Sequence, residues 1–205
     1  MGYTEYSISR AGFIADDNAS ERVSRQVDFE RVPDSYKDGD GNKIVEGSTI
    51  VSQLASGKVV PRTSTSGDIT NLTETGETAT ATQADHGYEV GDIVTIEGAA
   101  ETGYNGTWTI ASVPTDDSYT FDVGATVSDD GGGATAHINA VGILETTAAE
   151  NANSASLSGQ SLLIGGVVYG TLLADADDDD FETFKTELKA ISNWWFEDYA
   201  DSRAN

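Results

Sequence analysis

Residues 85–123 constrain the fold most strongly, because short β-branched and aromatic runs alternate there with turn residues. Trp108 and Ile110 fall on one face of an extended chain, and Thr107 and Thr109 fall on the other. This period of two is typical of strands with one buried face. Gly, Asn or Asp closes each run, as in tight turns between antiparallel strands. The stretch therefore predicts the centre of a small antiparallel β module.

Two linker-like segments, residues 63–67 and 128–133, flank this stretch and are rich in Ser, Thr, Asp and Gly. A bounded block with its own strands indicates an insertion, and we predict an inserted β module at residues 68–139. Its outer strands are expected at residues 78–82 and 134–138. Its predicted core side chains are Trp108, Ile110, Tyr119 and Phe121.

Length and composition exclude several classes of protein. A chain of 205 residues can form one ordinary domain or two small ones. It has no Cys, which excludes disulfides, thiolate metal sites and Cys nucleophiles. No run approaches the roughly 20 apolar residues of a membrane span, and residues 1–6 lack the features of a signal peptide. We therefore expect no membrane partner and no export by a classical signal.

Acidic residues dominate the chain, whose formal net charge is −24. Between Arg62 and Lys185 there are 21 Asp and Glu residues and no Lys or Arg. Such a surface repels phosphate groups, so we expect no nucleic-acid partner. It also repels itself, and molar salt would screen this repulsion because the Debye length falls to about 3 Å. Two interpretations stay open: a halophilic protein, and an acidic surface that serves solubility.

Residues 1–37 are expected to form an extended N-terminal arm, because they contain too few apolar side chains for a core of their own. Two alternating segments, residues 3–8 and 23–30, predict strands that must pair with the body or with another chain. We favour another chain, since this part of the sequence is the least acidic. The predicted interface side chains here are Tyr3, Tyr6, Ile8, Val23, Val27 and Phe29.

One acidic segment resembles a metal loop. Asp38, Asp40 and Asn42 occupy alternate positions, as the first ligands of a calcium loop do. The pattern then fails, since Lys43 stands where the loop requires Gly and Thr49 where it requires Glu. The Asp-Gly and Gly-Asn pairs favour a turn instead.

Residues with catalytic or metal-binding chemistry are sparse. The two His residues, His86 and His137, have no ligand spacing and are expected in a turn and in a strand. The sequence contains no phosphate-binding loop, nucleophile elbow or zinc-helix motif. We therefore predict no enzyme activity, no cofactor and no metal site.

The C-terminal region has the pattern of a helix. Its apolar residues recur at spacings of three and four, and the acidic run at residues 177–180 precedes them where negative charge favours a helix N-terminus. The face consists of Phe181, Phe184, Leu188, Ile191 and Trp195. Trp194, Trp195 and Phe196 crowd its end on more than one face. They are expected either to pack on the protein's own sheet or to contact a subunit or another protein.

Two sets of motifs resemble known families. Within residues 86–110, the motifs His-Gly, Gly-Asp-x-Val-x-Ile-x-Gly and Tyr-Asn-Gly-x-Trp-x-Ile resemble small β modules of structural proteins of tailed viruses. When the module is left out, Lys58-Val59-Val60-Pro61 runs directly into Ala140-Val141-Gly142-Ile143-Leu144. That order is similar to the head decoration proteins of lambda-like tailed phages. This chain differs from them by the inserted module, a longer N-terminal arm and a C-terminal extension.

The resemblance implies a fold and a role. It implies a trimeric cap on the outside of a capsid, with an N-terminal arm that orders against the major capsid protein. We accordingly expect a mainly β fold: a decoration-type β body from residues 38–67 and 140–205 with a C-terminal helix, an inserted antiparallel β module and an extended arm.

Three functional hypotheses follow. The first is a structural virion protein on the capsid exterior, a homo-oligomer and by preference a homotrimer, that binds the major capsid protein. The alternative is a protein that binds a host-surface glycan through Tyr88 and Tyr104 of the module. A hydrolase is the weakest hypothesis, because nothing singles out a pair of carboxylates.

Overall fold

A computed structural model describes residues 14–62, 66–150, 160–169, 173, 176 and 181–197. Across these residues the fold is mainly β with one α-helix, which confirms the predicted fold class. The chain divides into two compact units. Unit 1 comprises residues 1–53, 57–62 and 140–205, and unit 2 comprises residues 54–56 and 63–139. No helix among the described residues has the length and apolar character needed to cross a membrane.

Over the described residues, unit 1 is built on a sheet of six strands. Five of them follow the order β1-β14-β12-β3-β4, and the sixth, β15, pairs with β14. Every pair is antiparallel except β14 with β15. The strands are β1 (Ile14–Arg25), β3 (Ile50–Gln53), β4 (Val59–Pro61), β12 (Ala140–Leu144), β14 (Gln160–Tyr169) and β15 (Trp194–Glu197). A separate two-stranded ladder joins β2 (Ile44–Val45) to β13 (Ala148–Ala149).

The segment that follows β1 pairs with β4, the strand at the other end of the strand order. The N–H of Val59 in β4 donates to Gln26 O at 2.8 Å, and the N–H of Asp28 donates to Val59 O at 2.9 Å. β1 therefore pairs with β14 while its continuation pairs with β4. Val27, Phe29 and Val32 are buried beside this junction. The predicted arm of residues 1–37 is thus wrong for residues 14–32, which belong to the sheet and core of unit 1.

Apolar clusters lie on both faces of the unit 1 sheet. Along β12 and β14, successive residues enter different apolar clusters, because side chains alternate across a strand. One cluster lies under the helix α1 (Phe181–Ile191) and consists of Ile50, Ala140, Ile143, Leu163, Val168, Leu173, Phe184, Leu188 and Trp194. The other consists of Val27, Phe29, Val32, Val45, Val51, Val59, Leu144, Ala148 and Leu162.

Helix α1 ends earlier than its sequence pattern predicts. The apolar spacing extends to Trp195, but the helix stops at Ile191, and Trp194–Glu197 form the strand β15. The N–H of Ser192 still donates to Leu188 O at 3.3 Å, which completes the last turn. The register of β15 on β14, from Gly166 opposite Trp194 to Tyr169 opposite Glu197, gives the backbone of β14 a strand partner that a longer helix, which bonds within itself, would not supply.

Unit 2 is a nearly closed barrel of seven strands in the order β5-β11-β8-β9-β10-β7-β6. Thr70 alone separates β5 from β6, so one kinked stretch pairs with β11 at its start and with β7 at its end. Leu72 and Asp130 form an additional bridge near this closure. The strands are β5 (Ser66–Ile69), β6 (Asn71–Thr75), β7 (Thr78–Thr82), β8 (Ile93–Glu97), β9 (Gly106–Thr115), β10 (Ser118–Asp122) and β11 (Ala134–His137).

A single apolar cluster fills unit 2. Ile110, Tyr119 and Phe121 are buried as predicted, and Trp108 is partly buried against the cluster with its ring 5.5 Å from that of Phe121. The outward residues of the strands are largely Thr and Ser, and some bond across neighbouring strands, as Ser112 and Thr120 do at 2.7 Å. The period-two pattern in the sequence therefore corresponds to the inside and outside of this barrel.

Candidate interaction surface

The predicted interface residues of the N-terminal region have different fates. Tyr3, Tyr6 and Ile8 lie outside the described residues. Val23 is partly buried on β1 and packs against the core. Val27 and Phe29 are buried in the core of unit 1, so their assignment to an interface is wrong. The reason is that unit 1 recruits them for its second cluster, where they gain burial without a partner chain.

The predicted interface residues of the C-terminal region alternate across β15. Trp194 is 5% exposed and faces helix α1, whereas Trp195 is 65% exposed on the opposite face of the strand. Phe196 lies on the same face as Trp194, with the two ring centroids 6.0 Å apart, and is partly buried. The structure therefore separates three residues that sequence reasoning grouped. Trp195 is the one that presents a large apolar surface to solvent.

Two lysines of helix α1 flank the ring of Phe196. The Nζ of Lys185 lies 6.0 Å and that of Lys189 lies 5.5 Å from the ring centroid. Lys185 also lies over the ring of Phe181 at 4.8 Å and pairs with Glu182. In the sequence these lysines are the first cations after Arg62. One face of β15 thus combines aromatic and cationic groups, and the other carries Trp195.

A buried ion pair joins the two points where the chain leaves and re-enters unit 1. Arg62 precedes the inserted segment and Ala140 follows it. Both bind Glu187 of helix α1: Arg62 Nη2 donates to Oε1 at 2.8 Å, and the N–H of Ala140 donates to Oε2 at 2.5 Å. The side chains of Arg62 and Glu187 are 3% and 9% exposed, and the guanidinium lies 4.8 Å from the centre of the Phe184 ring. Sequence reasoning missed this contact. Its one signal is that Arg62 is the last cation before a long acidic stretch.

The predicted glycan-binding aromatics of unit 2 are not available at its surface. Tyr88 and Tyr104 are both buried, and the hydroxyl of Tyr88 donates to Ala136 O at 2.9 Å. Burial raises the pKa of the Tyr104 phenol, and nearby carboxylates, Asp129 first among them, raise it further. The prediction that these two rings stack on a sugar is therefore wrong, because the barrel closes over them.

The two histidines lie in unit 2 and are buried. His86 accepts a hydrogen bond at Nδ1 from the N–H of Tyr88 at 3.0 Å, and its ring stacks on Tyr88 with centroids 5.3 Å apart. Its Nε2 lies 3.3 Å from Thr115 O. His137 is the last residue of β11. The contacts of His86 are those of a residue that holds a turn against the barrel.

The segment that resembles a calcium loop forms a turn. The Asp38 Oδ1 accepts hydrogen bonds from the N–H groups of Asp40 and Asn42, both at 2.9 Å. These backbone donors, that of Asn42 first, lower the pKa of the Asp38 carboxyl. Gly41 has a φ of +86°, which a residue with a side chain adopts at a cost. Over the described residues, no group of three or more His, Asp or Glu side chains is placed to hold a metal ion.

In comparisons with known proteins, no family model, no curated protein and no solved structure matches the chain. The role of the surface formed by β15 and the end of helix α1 is therefore inferred from the chemistry of its residues.

Proposed function

We propose that this chain is a structural virion protein that binds the outer surface of a tailed-virus capsid through unit 1 and decorates or stabilises the shell. Trp195 is the observation that carries the proposal. A Trp that is 65% exposed on a sheet exchanges much water-accessible apolar area for protein contact when a partner binds. Trp is also among the residues that contribute most to binding energy at interfaces.

The arrangement of unit 1 supports the same role. The two segments that resemble decoration proteins, residues 58–61 and 140–144, lie on β4 and β12, on either side of β3. Glu187 binds Arg62 and Ala140 at the ends of these segments. The sheet of unit 1 is therefore continuous across the point of insertion, and unit 1 can act as the binding part while unit 2 is carried by it.

The distribution of acidic and basic residues supports a protein that exposes unit 2 to solvent. Residues 63–139 contain 13 Asp and Glu and no Lys or Arg, so all 11 basic residues belong to the remaining sequence. An acidic unit stays soluble and resists non-specific association. We propose a halophilic environment for the virion on the same ground, since salt screens the repulsion.

The partners in this proposal are the major capsid protein and further copies of the chain, with a homotrimer as the form that the resemblance implies. Residues 1–13, which contain Tyr3, Tyr6 and Ile8, are proposed to contribute to attachment. Residues 14–32 must be retained in any test, because they supply β1 and core residues of unit 1.

Co-sedimentation with undecorated capsids of the same virus tests the proposal. The full chain should sediment with the capsids, and Trp195→Ser should weaken binding about tenfold. Ile93→Ser is the matched control, because Ile93 is 55% exposed in unit 2, and it should bind as the unchanged chain does. A full chain that does not sediment with capsids, or a Trp195→Ser variant that binds equally, would refute the role assigned to this surface.

A further inference from the structure

The outer edge of β15 is the starting point for an inference about self-assembly. Among the described residues, β15 pairs with β14 and with no other strand. Its four residues contain no Pro, and Glu197 is the single charge among them. An edge with free backbone donors and acceptors and few charges readily accepts a further strand.

The two faces of β15 define what such a strand must present. A residue opposite Trp195 would lie on the same face as the indole and should be apolar. Residues on the other face would point towards Phe196 and the ammonium groups of Lys185 and Lys189. The Phe196 ring favours the positive charge of the two lysines. A carboxylate is the complementary group on this face, because it can pair with one of these ammonium groups. The fitting partner is therefore an extended segment that alternates apolar and acidic side chains.

Residues 3–8 of this chain have that pattern. Tyr6 and Ile8 fall on one face of an extended segment, and Glu5 falls on the other. The segment has one acidic residue and no basic residue. It lies outside the described residues, whereas the alternating segments of the module already belong to the strands of unit 2.

The geometry of unit 1 favours the segment of another molecule. Ile14, the first residue of β1, pairs with Val168, and Val168 also pairs with Phe196. At one end of the described sheet, the chain therefore enters at Ile14 and leaves after Tyr169 and after Glu197. For residues 3–8 to reach the outer edge of β15 within one chain, residues 9–13 would have to cross the two connections that leave at this end. Such crossings of connections at one edge of a sheet are avoided in proteins.

We propose that residues 3–8 of a second copy of this chain add as a strand to the outer edge of β15, with Tyr6 and Ile8 against Trp195 and Glu5 beside Lys189. Each copy then donates one strand and accepts one, so the chain forms a closed oligomer or an open chain of copies. This contact deepens the proposed function by assigning Trp195 to the contact between copies, so that Trp195→Ser weakens capsid binding because it weakens the oligomer. The contact itself does not require the capsid.

Light scattering on the purified full-length chain tests the contact in the absence of capsids. The unchanged chain should have a mass of at least twice 21.5 kDa, and a variant without residues 2–13 should be a monomer. Trp195→Ser should weaken association about tenfold. Ile93→Ser and Lys37→Glu are controls at exposed or half-exposed positions elsewhere and should leave the mass unchanged. Circular dichroism verifies that each variant is folded.

A charge exchange gives the sharpest readout. Lys189→Glu and Glu5→Lys should each weaken association, and the double variant should recover most of it, since the opposite charges meet again. A monomeric full-length chain, an oligomer that persists without residues 2–13, or a double variant without recovery would each overturn the proposal. An oligomer that behaves as expected but does not bind capsids would refute the proposed virion role and leave this contact standing.

Discussion

Unit 1 and unit 2 are both built from short strands, but their strands are connected differently. In unit 2, β6 and β7, β8 and β9, and β9 and β10 are neighbours in both chain and sheet. In unit 1, β1 pairs with β14 and β3 pairs with β12, so the partners come from distant parts of the chain. Local hairpins form without a large loss of chain entropy, whereas distant pairs need the rest of the fold. Unit 2 is therefore the part whose sequence can be interpreted locally.

The units also differ in how they use charge. Three ion pairs of unit 1, Arg22 with Glu145, Lys58 with Asp28 and Arg62 with Glu187, join residues that are far apart in sequence. Residues 63–139 have no Lys or Arg for such pairs. The carboxylates of unit 2 accept backbone N–H groups instead, as Asp92 does from Glu89 and Asp130 does from Glu101. Unit 1 therefore combines apolar clusters with long-range ion pairs, whereas unit 2 combines its core with turns whose backbone N–H groups bind carboxylates.

The largest expected effects come from truncating the two cores. Phe121→Ala in unit 2 and Phe184→Ala in unit 1 should each lower the free energy of unfolding of their own unit by about 3–5 kcal/mol. The core clusters are separate, so each variant should leave the other unit unchanged. Hydrogen exchange followed on peptides from each unit measures this. Equal loss of protection in both units after either substitution would contradict the separation.

The buried ion pair of unit 1 should rank next. Glu187→Ala leaves the guanidinium of Arg62 buried without its carboxylate, which should cost about 3–5 kcal/mol in a urea titration of unit 1. The matched control is Glu182→Ala on the same helix, because Glu182 is exposed and its pair with Lys185 contributes about 1 kcal/mol at most. Similar losses for the two variants would show that the pair adds no more than a surface contact.

Salt should affect the thermal stability of the two units differently. Raising KCl from low concentration to about 2 M screens repulsion between carboxylates, and unit 2 has no cations to offset that repulsion. We expect the unfolding midpoint of unit 2 to rise more than that of unit 1, measured by hydrogen exchange at increasing temperature. Unit 1 serves as the internal control for effects of KCl on apolar burial. A midpoint of unit 2 that does not rise would remove the basis for a high-salt environment.

Asp130 should make the stability of unit 2 depend on pH, and we expect this effect to be smaller than those above. The backbone N–H of Glu101, at 2.8 Å, and that of Gly132, at 3.1 Å, bind its carboxylate and hold its pKa below the ordinary value. Its stabilising contribution is present above the unfolded pKa of about 3.9 and is lost as the pH falls through the folded pKa. Asp130→Asn should lower the stability of unit 2 at pH 7 and reduce the loss below pH 4. Urea titrations at several pH values measure this change. An unchanged pH profile in the variant would exclude this role of Asp130.

The smallest effect is expected from removing the inserted segment. β4 and β12 flank β3, so a Gly/Ser linker from Arg62 to Ala140 spans about two strand spacings, roughly 10 Å. Unit 1 should keep its fold and its stability to within about 1 kcal/mol, because the shorter connection costs less entropy. The urea midpoint and mean residue ellipticity of the shortened chain measure this. A shortened chain that does not fold would show that unit 1 depends on unit 2.

The predictive power of the sequence was uneven in a physically understandable way. Alternation of apolar and polar residues identified the strands around Ile110 and Phe121, because a strand with one buried face leaves a period of two in the sequence. The same pattern at Val27 and Phe29 predicts a strand, whereas β1 ends at Arg25 and Val27 forms an isolated bridge to Val59. Tyr88 and Tyr104 follow turn residues, which predicts exposed rings, but whether a ring next to a turn points inward depends on how the barrel closes.

The sequence by itself determined the β character of the chain, its turns, the inserted position of the module and the segregation of all cations from residues 63–139. These properties depend on neighbouring residues or on composition. Only the tertiary structure decided that helix α1 ends at Ile191, that Trp195 is exposed while Trp194 is buried, and that Glu187 binds Arg62 and Ala140. These outcomes depend on partners distant in the sequence, and a local pattern carries no information about which partner is found.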